Sequence, residues 1–291
     1  MQEPKAALAL VEVTRQDITE VLDRSRDRGA LTAAHATFRI LRPLFAFGVG
    51  NGMHGIENSV CFMMKVRGKP GACRRYLSPA EIKDLWEALD HSGRMHWSTA
   101  ASLKLLLLTG QRCEQVAEMP LDEIKGEWWC LPPERTKIAV PQRMYLVPMA
   151  LEVLRLDEPR KWAFPQKKNP AKSIAYNTMT QAARRLSDGE DTTFDKKRWE
   201  HPPFTPRDLR RTVSTHMQEL GIDDRIIDAV QHHVAKGVRD NYNQYRFDRE
   251  KREAILLWEA RLKDILASEY DAEGRAISGP LAEEEAIGLP T

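Results

Sequence analysis

Strand character in this 291-residue chain is confined to one stretch, EWWCLPPERTKIAVPQRMYLVPM at residues 127–149. Its β-prone runs WWCL and RMYLV flank a charged, proline-containing connection, the pattern of a hairpin or small sheet. Elsewhere apolar residues recur at helical spacing. That spacing predicts helices over 15–28, 31–48, 174–186, 206–220, 223–232 and 247–267, with others opening at Pro79 and running through STAASLKLLLL. The fold class is therefore mainly α with a small antiparallel β-sheet (α+β).

The segment KVRGKPGACRR, residues 65–75, has no periodicity and reads as a linker. Its cations, among them Lys65, Arg67 and Lys69, suit solvent or a DNA backbone. The domain boundaries follow: a helical domain at 1–70, a linker at 71–77, a larger domain at 78–268, and a Gly-, Ala- and Glu-rich tail at 269–291 expected to be disordered. A composition of 42% hydrophobic and 30% charged residues is that of a soluble globular protein. Net charge is only +2, so any basic surface must be local. The four cysteines have no CxxC spacing, which points to reduced thiols rather than a zinc site or disulfide framework. The longest apolar run, LKLLLL, is too short to span a bilayer, and no signal peptide is read at the start. A cytoplasmic protein is expected.

One predicted helix has its charge at the wrong end. In FTPRDLRRTVSTHMQELG, Thr205 can cap, Pro206 suits the first helical position, and Asp208 completes a capping box. Yet Arg207, Arg210 and Arg211 crowd the first two turns, where each cation forfeits ~0.3–1 kcal/mol against the helix dipole. An anion docked at that end would offset the cost.

Three other stretches hold informative polar residues: TGQRCEQ with Arg112, the hairpin with Lys137, and DAVQHHVAKGVRDNYNQY with His232, His233, Tyr242 and Tyr245. Singly each has an ordinary reading: a surface arginine, a solvated lysine, histidines capping a helix C-terminus, tyrosines in packing. Together they describe one chemistry. Two arginines can fork onto one phosphate. A lysine can protonate a leaving oxygen, and a histidine can exchange a proton near neutrality. A tyrosine can attack if cations depress its reference pKa of about 10. The set suits phosphodiester transesterification, and no acidic cluster is spaced for Mg²⁺.

These ordered motifs resemble the tyrosine recombinases, specifically phage and genomic-island integrases, over nearly all of residues 8–268. TGQR is similar to the box carrying the first catalytic arginine, Arg112. PPERTKIAVPQRMYLVPM is similar to the family's β-hairpin, with Lys137. TPRDLRRT resembles the H-x-x-R box and assigns Arg210. In VQHHVAKGVRDNYNQY the family's nine-residue interval selects His233 and Tyr242, with His232 and Tyr245 as runners-up.

The resemblance implies that Tyr242 attacks a duplex phosphate and forms a 3′-phosphotyrosyl bond. Arg112 and Arg210 would neutralise the phosphate oxygens, Lys137 would protonate the 5′ oxygen, and His233 would serve the phosphate or the tyrosine proton. No metal, ATP or other cofactor is implied. Arg211, Lys65, Arg67 and Lys69 are candidate DNA contacts; Arg207 and His232 are further catalytic or phosphate-contacting candidates. Implied partners are double-stranded attachment sites, a homo-tetramer on two duplexes, and accessory DNA-bending or excision factors. The implied location is the nucleoid of a bacterial cytoplasm. The C-terminal segment, 250–268 or the tail beyond, would dock on a neighbouring protomer.

Three departures stand out. Arg207 occupies the place of a histidine, and an arginine cannot deprotonate near neutrality. Gln115 occupies the place of a glutamate. ALALVEVTRQDITEVL resembles the middle of a core DNA-binding domain, so residues 1–70 read as a partial one. These departures define an alternative, a catalytically impaired integrase relic that binds DNA.

Overall fold

A computed structural model describes residues 12–52, 59–69, 71, 74–91, 95–188, 199–233 and 246–287; Tyr242 and Tyr245 lie outside the described residues. The chain divides into two compact units, Met1–Arg74 and Arg75–Thr291.

The first unit pairs helices α1 (Arg15–Asp27) and α2 (Leu31–Gly50). Thr14 starts α1 through a capping box: its backbone N–H donates to the Asp17 carboxylate at 3.0 Å, and its Oγ1 accepts from the Asp17 N–H at 3.3 Å. Gly29, at φ 75°, turns the chain into α2. Ile18, Leu22, Ala34, Phe45 and Cys61 form the core, with Phe38 and Leu41 packed on it. Leu44, on the same helix, is exposed. Lys65, Arg67 and Lys69 are exposed.

The second unit is built around α4 (Trp97–Thr109), which follows α3 (Pro79–His91). Helix α4 is buried on nearly every side, so its apolar residues are not confined to one stripe. Around it pack α3, α5 (Cys113–Ala117), α6 (Pro148–Leu154), α7 (Tyr176–Ser187), α8 (Pro206–Glu219) and α10 (Asp248–Ala267). Helix α9 (Asp224–Gln231) lies against α8 and α10.

The predicted hairpin is present and gains a short third strand. Strands β1 (Ile124–Lys125), β2 (Trp128–Leu131) and β3 (Gln142–Tyr145) form an antiparallel sheet in chain order. Trp129 pairs with Met144 and Cys130 with Arg143. Alternation turns Trp129 and Met144 into the core. Helix α10 covers β3.

Two expectations are corrected at the edges of this unit. Residues 75–77 are not free linker. Arg75 makes a two-pronged ion pair with Glu81 (2.8 and 2.6 Å), and Leu77 is fully buried. The Leu77 N–H donates to Thr212 Oγ1 at 2.9 Å, and His216 Nε2 donates to the Leu77 carbonyl at 2.9 Å. Nor is the tail disordered throughout. Strands β4 (Glu269–Tyr270) and β5 (Ala276–Ser278) pair, and α11 (Pro280–Ile287) follows. Leu281, Tyr270 and Ala276 reach the main core, and Lys83 ties the turn by donating to the Ser268 carbonyl (2.7 Å) and to Glu269 (2.6 Å). A few apolar residues, with the Lys83 bonds and the Arg261–Glu284 ion pair, dock a segment whose composition suggests coil. None of the described helices is long and apolar enough to cross a membrane.

Candidate active site

The site grows from the end of α4. Gly110 adopts φ 61° there, and its N–H bonds the Leu106 carbonyl at 2.8 Å, a left-handed helix stop. A Cβ at this position would lie 3.1 Å from the Val213 side chain, so glycine meets both the backbone and the packing requirement. The turn sends Gln111 inward and places Arg112 at the start of α5.

Gln111 Nε2 donates to the Val230 carbonyl at 2.7 Å, and its Oε1 accepts from Gln142 Nε2 at 2.9 Å. Gln142 donates to the same Val230 carbonyl at 3.0 Å. These two buried amides lock the α4–α5 turn, strand β3 and the end of α9 together.

Arg210 enters this junction from α8. Its Nη1 donates to the Gly110 carbonyl at 2.8 Å, and its Nη2 to the Gln231 carbonyl and to His233 Nε2, the latter at 2.9 Å. Gln231 returns a bond from Nε2 to the Arg210 carbonyl at 2.8 Å. Arg112 Nη2 donates to the His232 carbonyl at 3.1 Å, while its Nη1 is buried with no partner among the described residues. Four of the sequence candidates, Arg112, Arg210, His232 and His233, therefore converge. Gln111, Gln142 and Gln231 were missed, because an uncharged amide inside an apolar pattern carries no signal of its own.

The electrostatics are those of crowded cations. Burial, and then the neighbouring Arg112, depress the Arg210 guanidinium to about 9. Burial and both arginines hold His232 neutral, at about 4. His233 is likewise lowered, first by burial and then by Arg210. Its Nε2 must accept from Arg210, so its Nδ1 carries the proton and donates to Asp228 at 3.1 Å. The thiol of Cys113, pushed up to about 11 mainly by burial, is inert.

The other candidates sit around this centre. Arg207 is exposed, and its charge reaches Cys113. Arg211 pairs with Asp208 at 2.5 Å, and the Asp208 carboxylate also accepts from the Thr205 N–H (2.8 Å) and hydroxyl (2.7 Å). One carboxylate thus caps α8 and offsets part of its arginine load. Lys137 is exposed in the β2–β3 connection, a loop that Thr136 closes by bonding both backbone groups of Val140 (2.8 and 3.1 Å). Arg135 fixes the loop's base, through Glu123 (2.5 Å) and the Gln115 carbonyl (2.9 Å). Gln115 is buried, and its Nε2 has no partner among the described residues.

A model of the phage integrase family matches residues 75–249, more than half of the chain and all four site segments. The chain belongs to the phage integrase family. Among solved structures it is similar to a lambda integrase dimer bound to a COC′ core site, with a TM-score of 0.61 and 18% identity over 82% of this chain and 66% of that one. A lambda integrase tetramer bound to a Holliday junction gives 0.60 and 18% over 84% and 67%. The Tn1549 transposon integrase with circular intermediate DNA gives 0.51 and 12% over 86% and 88%. The chain thus spans about two thirds of the lambda integrase of the first of these structures. At these identities the likeness is one of fold, that of the integrase catalytic domain. No curated protein matches.

His232 carries a testable consequence. It ends α9 at φ 52°, a left-handed conformation that asparagine adopts more readily. Its folded pKa of about 4 lies below the unfolded value of about 6.5. Between those values the unfolded chain binds more protons, so stability falls as pH drops through the window. His232→Asn is expected to flatten that slope. Urea midpoints at pH 7 and pH 4.5 measure it, and an unchanged difference would refute it.

Proposed function

We propose that this chain is a site-specific DNA recombinase that cleaves and rejoins duplex DNA through a 3′-phosphotyrosyl bond. The observation that carries the reading is the convergence of Arg112 and Arg210, two cations held mainly by backbone carbonyls, beside a neutral His233. Carbonyl partners orient the guanidinium groups without cancelling their charge, which leaves it for a phosphate.

In the proposed reaction Tyr242 Oη bonds to the phosphorus at the cleavage site and the P–O5′ bond breaks. The tyrosine proton leaves with the aid of His233, and Lys137 supplies a proton to the departing 5′ oxygen. Arg112 and Arg210 stabilise the charge that builds on the non-bridging oxygens; preorganised donors of this kind contribute ~3–4 kcal/mol each. A 5′ hydroxyl from a second duplex then reverses the step. The phosphotyrosine conserves the bond energy. Arg211, Lys65, Arg67 and Lys69 contact the DNA backbone, and Arg207 adds a phosphate contact where the family has histidine. Residues 1–70 act as a partial core-binding domain.

Lambda integrase is seen as a dimer on a core site and as a tetramer on a Holliday junction, and the Tn1549 enzyme with circular intermediate DNA. By that likeness the chain assembles as a tetramer on two attachment sites, aided by accessory DNA-bending or excision factors. It integrates or excises a phage or genomic island in a bacterial cytoplasm.

Direct repeats in the DNA flanking the gene would supply the attachment site, and a nicked duplex built on it is the test. Wild-type protein is expected to form an SDS-stable adduct whose DNA maps to Tyr242. Duplex binding without an adduct would sink the enzyme reading. It would favour the relic, to which the Gln115 Nε2, without a partner among the described residues, and the Arg207 replacement point.

A further inference from the structure

Lys251 is a buried cation that the proposed chemistry does not use. It lies on the first turns of α10, 4% exposed, and burial lowers its pKa. Its Nζ donates to the Arg143 carbonyl at 2.7 Å and stands 2.8 Å from Asp248 Oδ1. The other Asp248 oxygen accepts from Arg143 Nη1 at 2.9 Å, and the Arg143 guanidinium lies over the Trp128 ring at 4.6 Å. Two side-chain contacts and one bond to the Arg143 main-chain carbonyl thus close a triangle between the start of α10 and strand β3. The Lys251 charge also reaches His232, at the end of α9.

Burying a lysine costs free energy that an apolar side chain of similar volume would not, so stability alone is a poor reason for it. Position is a better one. Strand β3 starts five residues after Lys137, and α10 starts six residues after Tyr242. Gln142, next to Arg143, is already tied to Gln111 and the Val230 carbonyl. The triangle therefore joins the chain just downstream of the candidate acid to the chain just downstream of the candidate nucleophile.

We propose that Lys251, Asp248 and Arg143 form a positioning clamp that holds the strand leaving the Lys137 loop against the start of α10, so that Lys137 is placed to give the leaving oxygen its proton as the tyrosine attacks. The clamp rests on the recombinase reading. Lys251 touches no reacting atom; it acts through Lys137.

The test compares Lys251→Met and Asp248→Asn with the wild type on two nicked duplexes. One carries the natural bridging 5′ oxygen, the other a bridging 5′ sulfur, which departs as a thiolate without an acid. Both variants should cleave the oxygen substrate at least about tenfold more slowly and the sulfur substrate within about threefold of wild type, with unchanged DNA affinity. Equal slowing on both substrates marks a merely structural role and overturns the clamp, as does normal cleavage of both. A wild type that cleaves neither substrate overturns the recombinase reading instead. Hydrogen exchange of residues 136–145 in the DNA-free protein then decides the clamp alone. Exchange about tenfold faster in Lys251→Met supports it, and unchanged exchange overturns it.

Discussion

Tyr242→Phe is expected to bind attachment-site DNA as tightly as the wild type and to trap none of it covalently, whereas Tyr245→Phe traps it at the wild-type level. The two tyrosines stand three residues apart between the anchored His233 and the anchored start of α10. In the proposed reaction, losing the phenol oxygen removes the atom that forms the bond to phosphorus. A lost nucleophile costs on the order of 10⁴-fold or more. Binding, by contrast, rests on backbone cations that the substitution leaves in place. Denaturing gels on the nicked duplex and gel shifts on the intact one read the two quantities separately. Trapping by Tyr242→Phe together with loss in Tyr245→Phe would move the nucleophile to Tyr245 and break the nine-residue interval from His233.

Arg210→Lys is expected to lower cleavage by about 10²–10³-fold while retaining duplex binding. A lysine keeps the charge but not the fork. Arg210 reaches three acceptors from two nitrogens: the carbonyls of Gly110 and Gln231, and His233 Nε2. One ammonium cannot span them, and each buried carbonyl left unsatisfied costs about 1–3 kcal/mol. The variant should therefore also unfold at a lower temperature. Arg211→Lys is the control. That residue pairs locally with Asp208 and is proposed to contact the DNA backbone, two roles that a lysine can also fill, so cleavage should stay within a few-fold of wild type. Single-turnover rates and thermal melts of both variants measure the difference. Equal losses in the two would mean that Arg210 contributes charge alone.

The long helices and the hairpin were legible because their apolar periods are strong. The arginines of α8 were legible because they oppose a dipole. Helix α6 was not, since seven residues opened by Pro148 contain too few turns to show a period. The docked tail was hidden for a related reason, its contact with the core resting on a few apolar residues. Within the site, charged and aromatic candidates stood out, and the structure gathers Arg112, Arg210, His232 and His233. The glutamines that lock the junction did not, because an amide announces nothing until its partners, here carbonyls about 90–120 residues away for Gln111 and Gln142, are brought beside it. The triangle around Lys251 was invisible for the same reason: Arg143 lies 105 residues from Asp248 along the chain and meets it only in space.

Three of the acceptors that aim the paired arginines are main-chain oxygens, those of Gly110, Gln231 and His232. No side-chain replacement can delete a carbonyl. Short of replacing the arginines themselves, genetic drift can therefore displace these acceptors only by rerouting the backbone. The vulnerable positions are then those where the chain adopts a left-handed turn, Gly110 at φ 61° and His232 at φ 52°. A saturation-mutagenesis map of the region should show intolerance peaking at Gly110, where every other residue adds a Cβ against Val213. At His232 the map should instead show a narrow tolerance for asparagine and glycine.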